Sequence, residues 1–138
     1  MKKIIAIILL SFLPVFSFAL DNVDLCMSYL GKPVPRGFSR IDRTTYVNDD
    51  SNIILNVENG IVITSMIGIT FEFTHEASRW LAEYYNYFEN DDWEFVESYP
   101  DSDLYIKDED AAMCIKPYRR EDGLIVAMVL LTKIEYLD

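Results

Sequence analysis

Hydrophobic and polar residues alternate along most of this chain with a period near two. Two stretches break that rhythm with a period near 3.6. These are the periods of half-buried strands and of amphipathic helices. The clearer helical stretch is "THEASRWLAEYYNYFEN": Ala77, Trp80, Leu81, Tyr84 and Phe88 form one stripe, with Arg79, Glu83 and Asn86 on the other side. Thr74 is the expected N-cap, and Glu76 suits the positive end of the helix. A shorter helix is expected from Asp21, with Leu25, Cys26, Tyr29 and Leu30 on one face and Gly31 and Pro33 ending it.

Between the helices, "RIDRTTYV", "NIILNV" and "GIVITSMIGITFEF" read as three strands. Asn59-Gly60 joins the last two as a tight hairpin turn, and Gly68 suggests a bulge or bend within the long strand. "WEFVESY", "DLYIK", "AAMCIKPY" and "LIVAMVLLTKI" follow the second helix, separated by the turns "PDSD", "KDED" and "RREDG". The last strand is apolar on both sides. Leu124, Val126, Met128 and Leu130 share one face, and Ile125, Ala127, Val129 and Leu131 share the other. "GIVITSMIGI" repeats this more mildly, with Ile61, Ile63 and Ile67 opposite Val62 and Met66. The expected fold is α+β: two helix-plus-antiparallel-meander units forming one curved sheet, with the helices on one face. The other face must then curl on itself, take the "KPVPRGF" loop, or meet a partner. Similar hairpins, "TYVNDDSNIILNV" and "LYIKDEDAAMCIK", suggest one unit used twice, over 20–73 and 74–138. The alternative is that hairpin rules are few and neighbours look alike.

The first residues change the picture of where this domain works. Lys2 and Lys3 precede an apolar stretch from Ile4 to Phe18, and Ser17 and Ala19 fit a signal-peptidase site, so 1–19 is expected to be a cleaved leader. No lipid-anchoring cysteine follows directly. Of 138 residues, removing those 19 leaves 119, a single globular domain over 20–138 in the periplasm or secreted, not spanning a membrane. Losing Lys2 and Lys3 moves the net charge from −11 to −13. Such acidity disfavours nucleic acid and anionic membranes and suits a basic protein partner or a divalent cation, although high acidity more often serves solubility alone. An even cysteine count in an exported chain favours a Cys26–Cys114 disulfide over two separate buried thiols.

Little in the chain carries catalytic chemistry. His75 is the lone histidine, so neither a histidine-based metal site nor a supported Ser-His-Asp triad is expected. The acids of "DSDLYIKDED" lack the central glycine and closing glutamate of a calcium loop. No phosphate-cradling loop is present, and the reading is no enzyme, no metal and no cofactor. The aromatics say more. Tyr85 and Tyr87 turn partly off the helical stripe beside Asp91, Asp92, Trp93 and Glu94, a mixture suited to a partner-binding surface. A broad core contact with tyrosine hydroxyls at its rim is the competing reading.

"YLGKP", Tyr46 and "IILNVENGIV", within roughly residues 20–63, resemble the helix end, meander start and glycine turn of small cell-envelope proteins. These are the outer-membrane-assembly lipoproteins of the SmpA/OmlA kind and the tandem-repeat β-lactamase-inhibitor proteins. The resemblance implies a helical segment packed on an antiparallel meander, and no family residue set transfers. The expected function is a small exported binding protein, an inhibitor or immunity-type protein acting by protein–protein contact. The alternatives are an envelope assembly or scaffold component, and a carrier for a small apolar ligand.

Overall fold

The computed structural model describes residues 21–48 and 50–137. The leader expected over 1–19 lies outside the described residues. Helix α1 runs through 21–29 and buries Val23, Cys26 and Leu30, a spacing of three and four that puts them on one side. Leu25, expected on that side, is exposed; Val23 occupies the inward position instead. Gly31, with φ of 78°, lets the chain leave the helix in a left-handed turn. Its amide then donates to the Val62 carbonyl at 2.9 Å, and the Val62 amide donates to Lys32 at 2.9 Å. The "KPVPRGF" loop is thereby held against a strand start, and its Val34 and Phe38 pack on the core.

Eight strands follow in one antiparallel sheet: β1 (Ser39–Arg40), β2 (Thr45–Asn48), β3 (Ile53–Glu58), β4 (Ile61–Phe71), β5 (Glu94–Ser98), β6 (Ser102–Lys107), β7 (Asp110–Arg119) and β8 (Ile125–Lys133). Their spatial order is β1-β2-β3-β4-β8-β7-β6-β5. Each run of four is a meander, and the two runs meet where β4 pairs with β8. Helix α2 (Thr74–Asn90) connects them, and a 3₁₀ turn at Ile134–Tyr136 follows β8.

Three expectations need correction. "RIDRTTYV" is two short strands, because Asp42 accepts the Thr44 amide at 2.9 Å and turns the chain between them. The bulge expected at Gly68 lies elsewhere. Gly68 pairs in regular register with Met128, while β3 and β4 slip between Asn56 and Val57, leaving Ile63 as the extra residue. That extra residue puts Val62 and Ile67 on the same side. Thr74 is not the N-cap; Phe73 is, with extended backbone and no capping side chain. The hairpin at Asn59-Gly60 is as expected, with φ of 53° and 79° in a left-handed pair. Pro117 lies inside the slip between Ile115 and Tyr118, where its missing amide costs no ladder bond.

One side of the sheet carries Ile53, Leu55, Ile67, Val129, Leu131, Ala112, Cys114 and Tyr105, and these share a buried cluster with Val23 and Cys26 of α1, Leu30 just after it, and Leu81, Tyr84 and Phe88 of α2. We call this the first face. Asn22 of α1 donates to the Tyr84 hydroxyl at 3.1 Å, linking the two helices. Beside this cluster, Ala77 packs with Ile125 and Ala127, and Trp80 with Phe71 at 6.2 Å between ring centres.

Candidate partner-binding surface

Antiparallel pairing places residues directly opposite one another, so register alone builds the second face. Reading across from β2, the partners are Val47, Ile54, Met66, Leu130, Met113 and Leu104, on β2, β3, β4, β8, β7 and β6. Six apolar side chains thus form one row over six strands. A second row runs Gly68, Met128, Ile115 and Ser102. A third runs Thr45, Asn56, Thr64, Thr132, Ala111 and Ile106. None of these side chains is ionisable. The first row reaches an acid only at Glu97, opposite Leu104, and Glu94 lies opposite Ile106.

Burial differs along the middle of the two faces. Val129 and Leu131 are 0% exposed, whereas Val47, Ile54, Met66, Met113, Met128 and Leu130 are half-buried and none belongs to the core clusters. Leu104, Ser102, Thr132, Ala111 and Val126, on the same side as that row, are buried. At one corner the chain end supplies Leu137, which with Leu104, Met113, Ser102, Tyr99 and Pro100 lines an open depression of ≈ 400 Å³. Asp101 is the acid at its rim.

The residues singled out from the sequence divide into two groups. Tyr87 and Trp93 are not surface residues: they are 9% and 6% exposed and belong to the main core. Tyr87 continues the inward stripe three residues after Tyr84. Trp93 folds back over the helix end, its ring edge-on to Phe88 at 5.1 Å. Burial pushes the Tyr87 hydroxyl up to about 12, with Trp93 pulling slightly the other way. Tyr85 is half-buried, and its hydroxyl donates to the Asp103 carboxylate. Burial first, then that carboxylate, raises its pKa. Asp91, Asp92 and Glu94 are exposed, and Asp91 pairs with Lys107 at 3.1 Å.

Exposed apolar side chains lie a few residues further on, which the sequence reading missed. Phe95 is 55% exposed, Val96 48% and Tyr99 38%. Their signal was the "EFVESY" run at the end of a sheet, but strand order had to be known to place it at an edge.

Cys26 and Cys114 are both fully buried in the main core, and both are free thiols here. Burial pushes the Cys26 thiol up to about 11. The neighbouring Ser65 hydroxyl, which lacks a hydrogen-bond partner of ordinary geometry, pulls it slightly down. Burial raises Cys114 too, helped by the negative fields of Asp103 and Glu89.

His75 is exposed and stacks on Phe73 at 5.7 Å. Among the described residues no group of three or more His, Cys, Asp and Glu side chains has the arrangement of a metal site, and no helix is long and apolar enough to cross a membrane. No family model, curated protein or solved structure matches this chain.

Proposed function

We propose that the chain is a small exported, non-catalytic binding protein of the inhibitor or immunity kind. Both helices lie on the first face, and the second face meets a protein partner. The observation that carries this reading is the row from Val47 to Leu104, six apolar side chains in register without a charge among them. In a chain with 23 acidic residues an uncharged patch of that extent is unusual. An apolar centre that ends at glutamates has the anatomy of a protein interface. Met66, Met113 and Met128 give it a deformable surface, as methionines do where a face adapts to its partner. The acidic rim selects a partner with Lys and Arg around an apolar centre, so binding should weaken with salt.

A photo-crosslinking residue at Met113 or Leu130 tests this. The expected result is a discrete adduct with one protein of basic surface, absent when the same residue stands at the exposed position Ile41. Identical adducts from all three positions, or none, would overturn it. Export carries its own test: N-terminal sequencing of the recovered protein should begin at Leu20.

The two halves support the further reading that one unit was used twice, since each helix precedes a four-strand meander and the meanders meet at β4 and β8. A Cys26–Cys114 disulfide belongs to the same exported reading. It rests on compartment and even count, and the free thiols described above give it no geometric support. If the resemblance to envelope-assembly proteins holds, the partner is membrane-bound and fractionation finds the chain with membranes. The depression beside Leu137 favours one other reading, a small apolar ligand, because its volume falls within the range of ligand sites. A saturable dye signal abolished by Met113→Lys would move the function there.

A further inference from the structure

The two ends of the sheet are built differently. β1 has two residues, whereas β5 has five, all exposed, and only one side of β5 is paired. An unpaired strand edge offers backbone N–H and C=O groups in a row, ready to accept another strand, and short edge strands are one protection against this. β1 has that protection and β5 does not.

What β5 carries instead is selective. Phe95 lies opposite Tyr105, on the first-face side, with its ring 5.7 Å from that of Tyr105. Glu94 and Glu97 lie opposite Ile106 and Leu104, on the second-face side. The edge is therefore apolar toward one side and acidic toward the other. The nearby cations are engaged already: Lys107 with Asp91 at 3.1 Å, and Lys116 with the Tyr99 carbonyl at 3.2 Å. A second copy of this chain would bring two more glutamates to the same five residues, and like charges across a strand pair destabilise it.

We propose that β5 accepts an extended segment of a basic partner as an added strand. Lys or Arg would lie beside Glu94 and Glu97, and apolar residues beside Phe95, on alternate positions. Period-two alternation of basic and apolar residues satisfies both sides of the edge at once. The slip at Val96 leaves the strand twisted, so the pairing is short.

The test uses the full chain and three synthetic peptides, with backbone amide shifts as the readout. One peptide alternates Lys with Val and Phe, one has Glu in place of Lys, and one repeats the first with alternate amides N-methylated. The Lys peptide is expected to shift the amides of Glu94–Ser98, and the Glu peptide to give no shift. N-methylation should weaken binding at least about tenfold by removing ladder donors. The doubly neutralised chain, Glu94→Gln with Glu97→Gln, should weaken it as well, and both residues are exposed enough to leave folding intact. Equal binding of the N-methylated peptide, shifts away from β5, or no binding of the Lys peptide overturns the proposal. Any of these leaves the second-face reading standing, because Leu130 and Met66 lie three and four strands from β5.

Discussion

Adjacent residues of β8 differ by one position and by almost everything else. Val129 and Leu131 are fully buried; Met128 and Leu130 are only half-buried. Hydropathy alone does not separate these pairs. The difference lies in what packs on them. Branched side chains dominate the first face, where shape must be matched in a close-packed core. The second carries branched residues too, but Met66, Met113 and Met128 stand among them, and unbranched side chains let a surface adapt. One strand thus contributes fully buried residues to the core and half-buried ones to the second face.

The largest expected effect tests that contrast directly. Leu131→Ala should cost about 2–5 kcal/mol in urea unfolding, because its neighbours cannot collapse into the gap. Leu130→Ala should cost about 1 kcal/mol or less, since part of its surface is already in water. Equal losses would mean that the second face is packed as tightly as the first.

Thiol chemistry sharpens the same comparison. In reduced, folded protein at pH 8, the thiol introduced by Met128→Cys should alkylate about a hundredfold faster than Cys26 or Cys114, which are fully buried with raised pKa values. Comparable rates would show that the first face opens as readily as the second. The experiment also decides the disulfide. Protein recovered without reductant and then unfolded should leave both native cysteines unlabelled if they are bonded, and label both if they are free.

The two faces were partly legible beforehand. The period of α2 located the helix and its stripe, with the N-cap misplaced by one residue, and alternation in β8 put Val129 and Leu131 on one side. Asn59-Gly60 fixed a turn because few residues tolerate two left-handed positions in succession. The hydrophobic pattern alone did not reveal what tertiary contact decides. Tyr87 and Trp93 lie beside four acids in sequence, yet Phe88 and Tyr105 draw this end of the chain inward: Phe88 stacks on Tyr105 at 5.2 Å, and Trp93 closes over Phe88. The slip at Ile63 was hidden for a similar reason, since β-branched residues surround it on both sides. The asparate turn at Asp42 could have been read from "IDRT", and would have divided the first strand correctly.

A smaller effect concerns the rim of the first face. Asp103 accepts hydrogen bonds from Ser98 and Tyr85. Partial burial acts to raise its pKa, but those two bonds and the field of Lys116 outweigh it, and the carboxyl titrates below its usual 3.8. A depressed folded pKa stabilises the fold above the unfolded value and loses that contribution as pH falls through the folded one. Stability measured from pH 7 to pH 3 should therefore drop below about pH 4 more steeply than in Asp103→Asn. The difference should be of order 1 kcal/mol after allowing for solvent. Parallel curves would assign the acid response to other carboxylates.

Gly68 gives the smallest effect and the one most specific to the second face. It sits in the row with Met128, and an added Cβ would meet Met128 Cε at 3.7 Å and Ile54 Cδ1 at 3.9 Å, both ordinary contacts. Its backbone is not among the left-handed positions, so alanine adopts it without strain. Gly68→Ala should then stabilise the fold by about 0.4–1 kcal/mol, chiefly by restricting the unfolded chain. The missing side chain leaves a methyl-sized gap between Met128 and Ile54, which the tip of a partner's apolar side chain could fill. The substitution should therefore raise the thermal midpoint while lowering the yield of the Leu130 crosslink. A raised midpoint with an unchanged crosslink would place the contact elsewhere on the row, and a lowered midpoint would show that the gap is already filled in the folded chain.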